Sequence, residues 1–169
     1  MPRKIREIRI DGQVAYVPLT KGLVAIIDAT DAEEIGKWNW SGRFSPRSFY
    51  AFRGQRDGEK FRTILMHRQI IGAGSGEEVD HIDANGLNNK RANLRFVTRA
   101  QNQWNRRTRL DGSSGFKGVD WDKKTNKWRA RIMANGKRVV LGYFEAKEDA
   151  ANAYAAANPA IHGEFGRVA

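Results

Sequence analysis

The sequence contains no cysteine. No disulfide can staple the fold, and no cysteine-ligated zinc can hold a finger or ribbon together. The core has to come from packing alone, and the absence is compatible with a reducing cytosol. No apolar run approaches the length needed to span a bilayer. The N-terminal stretch MPRKIREIRI alternates charged and apolar residues and lacks the apolar stretch of a signal peptide. Acidic residues are in deficit: 19 Asp+Glu stand against 30 Lys+Arg, a formal charge of +11 in 169 residues. That length suits one ordinary domain or two small ones. A surplus so large points to a polyanionic partner, because each phosphate neutralised by Lys or Arg releases condensed counterions. An anionic membrane surface is the rival, but nothing in the pattern supports a membrane.

What is present reads first as strands. Lys4–Ile10 and Gln13–Val17 alternate around Asp11-Gly12, a strong hairpin signal. Leu23–Ile27 is a short buried strand. Asp31 and Glu34 have capping-box spacing, which predicts a short helix to about Lys37. Phe49–Arg53 and Phe61–Gln69 are expected as further strands, with His67 on the second. A polar, Asn-rich loop then runs from Ile82 to Asn93 and is followed by a strand, Leu94–Val97. Thr98, with Gln101 three residues on, starts a helix on which Trp104 and Ala100 share a face and are expected to pack inward. Residues 106–115 (RRTRLDGSSG) mark a boundary, with 108–113 as a basic flexible linker. Arg106, Arg107 and Arg109 would track a phosphate backbone; a plain solvated linker is the equal alternative.

Beyond it, Gly115–Trp121, Lys127–Ala134 and Lys137–Phe144 read as three strands, the last two joined by the turn signal Asn135-Gly136. Glu145 to Asn158 reads as an Ala-rich helix stopped by Pro159. In the middle strand, period-2 alternation puts Trp128, Ala130 and Ile132 on one face and Lys127, Arg129 and Arg131 on the other. The first face is expected to pack on the helix. The second is expected to be basic and exposed, and such a sheet can enter a major groove.

The chemistry concentrates at Asp80-His81. Hydrolysing a phosphodiester requires a deprotonated water, a stabilised phosphorane and help for the leaving oxygen. A neutral His does the first near pH 7. A hard divalent cation does the others and prefers oxygen ligands such as carboxylates and amide carbonyls. Adjacent residues at a strand end point to opposite sides, so one can hold metal while the other addresses water. Asn102 can add a second oxygen ligand, and the Asn93 amide can bond across the loop and fix the backbone around His81. Asp83 is expected to brace the loop as an Asx residue. His67 either supports the site or is a satisfied buried histidine, and His162 is expected to be structural.

The run VDHIDANGLNNKRANLRFVTRAQNQWNR resembles the HNH nuclease motif, in the subgroup of phage intron-encoded homing endonucleases. The resemblance covers Met66 to about Arg107. It implies a ββα-metal fold, His81 as general base, Asp80 and Asn102 as metal ligands, and Asn93 as the loop brace. An Asn at the last position argues for Mg²⁺ or Mn²⁺ over a zinc-preferring site. Residues 115–168 resemble the plant ethylene-response-factor (APETALA-two type) DNA-binding domain. The residues carrying this are Phe116-Lys117-Gly118-Val119, Trp128 with Ala130 and Ile132, Leu141-Gly142 with Phe144, Glu148-Asp149-Ala150-Ala151 and His162-Gly163-Glu164-Phe165. By position that implies DNA contacts from Lys117, Asp120, Arg129, Arg131 and Arg138. A basic N-terminal surface including Arg43, Arg47 and Arg53 would add backbone contacts.

The combined expectation is a modular α+β protein. Residues 1–65 form a β-rich arm, 66–107 a ββα-metal nuclease unit, and 114–169 a three-stranded antiparallel sheet on one helix. It implies a phage-encoded, site-specific endonuclease in the bacterial cytoplasm. Its partner would be double-stranded DNA and its cofactor a divalent metal, with no small-molecule cofactor. It would act as a monomer that nicks one strand. The main alternative is a DNA-binding regulator with an inactive nuclease core; a non-specific or restriction-type nuclease is a third possibility.

Overall fold

A computed structural model describes residues 4–45, 48–105 and 114–168. Arg47, Arg106, Arg107, Arg109 and the linker 108–113 lie outside the described residues. The architecture is mixed α+β, with several small antiparallel sheets and few helices. The chain divides into two compact units, Met1–Thr98 and Arg99–Ala169. The division falls within the stretch expected to form the nuclease unit.

In the first unit, β1 (Arg9–Asp11), β2 (Val14–Pro18) and β3 (Val24–Asp28) form a meander. Asp11 pairs with Val14, leaving Gly12-Gln13 as a two-residue turn. Gly12 carries the positive φ, 57°, that the first central position of such a turn demands. The strand expected from Lys4 begins only at Arg9. Period-2 alternation sends Ala15 and Val17 of β2, and Ala25 and Ile27 of β3, into a core shared with Ile35, Trp40, Ala51, Met66 and Leu94.

Helix α1 (Ala32–Gly36) forms as expected, but Asp31 makes no side-chain cap bond. Its carboxylate instead accepts a two-pronged bond from Arg91, Nε to Oδ2 at 3.0 Å and Nη2 to Oδ1 at 2.7 Å. The Arg91 backbone N–H also donates to Asp28 Oδ2 at 2.7 Å. A bidentate pair with a guanidinium outcompetes a single cap bond to a backbone N–H.

A second antiparallel sheet contains β4 (Ser41–Ser45), β5 (Ser48–Asp57) and β6 (Lys60–Leu65). The strand expected over Phe61–Gln69 ends at Leu65, and Met66–Ile71 is a helix, α2, that carries His67. Met66 and Ile70 are buried four residues apart, a helical spacing, and Gly72 closes the helix with a left-handed φ of 72°. Arg53 is not part of an exposed basic surface either. It is buried, with its guanidinium 4.1 Å from the Trp38 ring centroid and its Nε donating to Gln69. Finally β7 (Glu78–His81) and β8 (Leu94–Val97) pair antiparallel.

The second unit begins with α3 (Arg99–Trp104) and contains the antiparallel sheet β9 (Val119–Asp122), β10 (Lys127–Ala134) and β11 (Lys137–Phe144), in the order β11-β10-β9. Asn135 and Gly136, with φ of 48° and 75°, make the β10–β11 turn. Ala130 and Ile132 are buried against α4 (Lys147–His162), where Ala150 and Tyr154 face the sheet. Pro159 does not stop α4; the helix runs one more turn, to His162. His162 holds that turn in place: Nδ1 lies 2.9 Å from Asn158 Oδ1, Nε2 lies 2.7 Å from the Met133 carbonyl on β10, and the ring stacks on Trp104 at 4.3 Å. Trp104 is therefore half-buried as expected, whereas Ala100 stays exposed on the six-residue α3.

Gly118 has a φ of 71°, and a Cβ there would overlap the Tyr154 ring. Gly118→Ala adds both backbone strain and a steric clash in the small second core. It is expected to cost at least about 2 kcal/mol, read as a lower urea midpoint. A change under about 0.5 kcal/mol, the range of neutral surface substitutions, would contradict this packing.

Candidate active site

The β7–β8 register places Asp80 opposite Arg95 and His81 opposite Leu94. The intervening loop closes on itself through amides. Ile82 N–H donates to the Asn93 carbonyl at 2.9 Å, and Asp83 N–H donates to Asn93 Oδ1 at 3.0 Å. The Asn93 amide nitrogen donates to Asp83 Oδ1 at 3.0 Å and to the Asn88 carbonyl at 2.7 Å. Asp83 Oδ1 also accepts from Asn85 N–H at 2.8 Å, the Asx geometry, and Asp83 Oδ2 accepts from Asn88 Nδ2 at 2.8 Å. Partial burial raises the Asp83 pKa, but these donors and the nearby His81 outweigh it, so the carboxyl sits below its usual range. Ala84, between two turn residues, adopts a left-handed φ of 57°.

His81 emerges where this loop begins and is buried. Its Nε2 lies 3.2 Å from Oδ1 of Asn89, a residue with no exposed surface. With the amide oxygen as acceptor, Nε2 carries the proton of the neutral ring, and the other ring nitrogen is the basic one. Tyr50 and His67 fix the ring plane, both edge-on or tilted, at 5.8 Å and 4.8 Å between centroids. Burial lowers the His81 pKa. Asn89 and the Asp83 and Asp80 charges push it back without restoring it, so the imidazole is neutral at pH 7.

Asp80 is also buried, and its Oδ2 forms an ion pair with Arg95 at 3.2 Å. Asp80, His81 and Asn93 are thus brought together by one strand pair and its loop. Asn102 lies on α3, in the second unit. Sequence reasoning missed Asn89, Tyr50 and Arg95 as neighbours of the site. Arg95 was readable as the cross-strand partner of Asp80. Nothing in the sequence separates Asn89 from Asn88 beside it.

Asp80 offers a hard oxygen donor beside a neutral imidazole. Among the described residues no group of three His, Cys, Asp or Glu side chains is placed to hold a metal ion. A donor set of one carboxylate suits an ion that keeps several waters and shares substrate phosphate oxygens, as Mg²⁺ does. On donor chemistry the residues fit such an ion, with the Arg95 guanidinium as its competitor at Asp80.

The second unit carries the other predicted residues. Lys117 Nζ donates to the Trp104 carbonyl. The expected exposed basic face is corrected in one respect: Arg129 and Arg131 are only half-exposed and are tied to acids. Asp120 pairs with Arg129 Nη2 at 2.6 Å and with Arg131 Nε at 2.8 Å, and Asp122 pairs with Arg129 Nη1 at 2.9 Å. The cause is register, since Asp120 stands directly across from Arg129. Arg138 is exposed at the far end of the sheet, and Val140 and Tyr143 are exposed on the same face.

Two family models match this chain: an HNH endonuclease model over residues 73–104 and an AP2 domain model over residues 114–164. Protein 3.8 of Escherichia phage T7 is 36% identical over 112 residues, which cover 63% of this chain and 92% of that protein. The chain carries an HNH endonuclease domain followed by an AP2 domain. An uncharacterised HNH endonuclease of Acanthamoeba polyphaga mimivirus is 38% identical over 87 residues, 52% of this chain, and the match spans 44% of that viral protein. No solved structure matches the chain. The HNH match begins just before β7 and ends with α3, so it contains Asp80, His81, Asn93 and Asn102 together.

His67 makes the surroundings of this HNH site sensitive to acid. Burial, then the His81 and Arg68 charges, hold its pKa down to about 3. Its Nδ1 is buried without a partner among the described residues. The unfolded chain takes up a proton near pH 6.5 that the native state refuses until about pH 3. Stability is therefore full above pH 6.5 and falls below it, approaching about 1.4 kcal/mol per pH unit for this one proton. Urea denaturation at stepped pH should show that slope, and His67→Gln should flatten it by about one proton. Equal slopes in the two proteins would contradict the assignment.

Proposed function

We propose that the chain is a site-specific DNA endonuclease of the homing type that nicks one strand of a duplex. The observation that carries this reading is His81: a buried, neutral imidazole, fixed by Asn89 and adjacent in sequence to the buried carboxylate of Asp80. Near neutral pH such a ring accepts a proton from water without first having to lose one. Asn93 acts at a distance from the reacting atoms. It braces the loop so that the imidazole does not wander from its attacking water.

Asp80 and Asn102 would hold Mg²⁺ or Mn²⁺. When bound, the ion would stabilise charge on the scissile phosphate and on the leaving oxygen. Arg95 gives the buried Asp80 carboxylate a cationic partner.

The AP2 domain supplies targeting. Lys117, Asp120, Arg129, Arg131 and Arg138 lie at the positions that would meet the duplex, and Arg106, Arg107 and Arg109 would follow its backbone. Asp120 plays a supporting part, because its carboxylate accepts a hydrogen bond from Arg129 and attracts the Arg131 guanidinium beside it. One HNH motif provides one reaction centre, which favours a monomer that nicks. The phage relative supports action inside an infected bacterial cell.

One observation favours a second reading, a DNA-binding regulator with an inactive core: Arg95 already occupies Asp80, and a guanidinium there opposes a cation. Cleavage separates the two. Supercoiled plasmids bearing phage genome fragments, incubated with and without Mg²⁺ and then probed with strand-specific end labels, should show a nick at a discrete position. His81→Ala should lose about 100-fold or more of the rate. No cleavage, or equal cleavage by His81→Ala, would favour the regulator or a different base. Scattered cuts would overturn site specificity.

A further inference from the structure

One face of the β4–β5–β6 sheet carries aromatic and cationic side chains outward from His81. By register, Tyr50, Phe52, Gly54 and Arg56 of β5 share this face with Arg43 of β4 and with Phe61 and Thr63 of β6. Tyr50 marks its inner end, edge-on to the His81 ring at 5.8 Å. Next along, the Arg43 guanidinium lies 5.3 Å from the Phe52 ring centroid. Further out stands Phe61, 72% exposed and directly across from Arg56.

The Phe61 ring lies over Gly54, where an added Cβ would overlap it. A glycine inside a strand costs stability, and here its bare backbone is the seat for an aromatic ring that remains open to water. The charged side chains that the register places on this face, Arg43 and Arg56, are both positive. Tyr50 to Gly54 is four residues, roughly 13 Å of strand.

We propose that this face of the β5–β6 hairpin is a second DNA-contact surface. Phe61 presses against the bases of the duplex within about four base steps of the phosphate addressed by His81. Arg43 and Arg56 meet backbone phosphates. The surface rests on the nuclease reading and adds to it a reader next to the cut site, separate from the AP2 domain. A second copy of the chain is the weaker occupant, since two faces charged only by arginine would repel.

The test replaces Phe61 in the full chain with photoreactive p-benzoylphenylalanine and irradiates it with a mixed-sequence pool of short duplexes. A matched probe at Ile10, exposed on the first sheet, is the control. The surface requires protein–DNA crosslinks at position 61 well above those at position 10. In anisotropy measurements on the same pool, Phe61→Ala should weaken binding about tenfold while Phe61→Trp stays near the unmodified protein. DNA binding that persists without crosslinks at position 61 overturns this surface and leaves the nuclease reading standing. Crosslinks to a second copy of the chain also overturn it. A chain that binds no duplex at all overturns both readings.

Discussion

The hydrogen bonds between Asp83 and Asn93 are the constraint on which the site depends. Residues 82–93 contain no regular strand and only a short 3₁₀ turn, Arg91–Asn93, yet β7 and β8 must meet in register across them. Closing a loop of this length costs chain entropy, and little apolar burial is at hand to offset it. A side-chain amide on one carboxylate does that work instead. Asn93 both donates to and accepts from Asp83, and Asn85 and Asn88 occupy the remaining acceptor sites. Both carboxylate oxygens of Asp83 and both ends of the Asn93 amide are paired, which holds this half-buried loop in one conformation.

From that closure follow the positions of everything chemical in the first unit. His81 ends β7, Asn89 is carried inward to meet it, and Arg91 is carried outward to clamp Asp31 and Asp28. The Arg91 clamp anchors the loop to the first sheet, as does the backbone bond from Asn89 N–H to the Ile26 carbonyl at 2.7 Å. The loop is thus fixed by polar contacts on both sides, although its sequence reads as a flexible polar segment. The second unit uses the same economy on a smaller scale, with His162 bonding to Asn158 and Met133 and stacking on Trp104 to hold the end of α4.

Much of this was legible in the residues. β8, β10 and β11 fall where alternation and the Asn135-Gly136 turn place them, because period and turn chemistry there agree. The roles of Asp83 and Asn93 within the loop followed from their donor and acceptor inventory. α2 was not legible: in Ile64 to Ile71 two short apolar stretches flank His67-Arg68-Gln69, too few residues to fix a strand or a helix period, and tertiary packing decided it. The cap bond of α1 and the end of α4 were misread for a related reason. Asp31 has the capping pattern, but a distant arginine claimed it, and Pro159 was outvoted by contacts of the turn that follows it. Burial of Arg53 between tryptophans, and of Asn89 rather than Asn88, depends on three-dimensional neighbours that no local pattern encodes.

The central claim is that this closed loop presents a carboxylate and a neutral imidazole as a single hydrolytic centre able to take a divalent ion. The most direct measurement is paramagnetic broadening of backbone amide resonances as Mn²⁺ is titrated into the full-length protein. The account predicts that broadening centres on Asp80, His81 and their strand partners Leu94 and Arg95, and that it vanishes in a folded Asp80→Asn protein. Broadening centred instead on the acidic pair Asp120 and Asp122, or unchanged by Asp80→Asn, would contradict it.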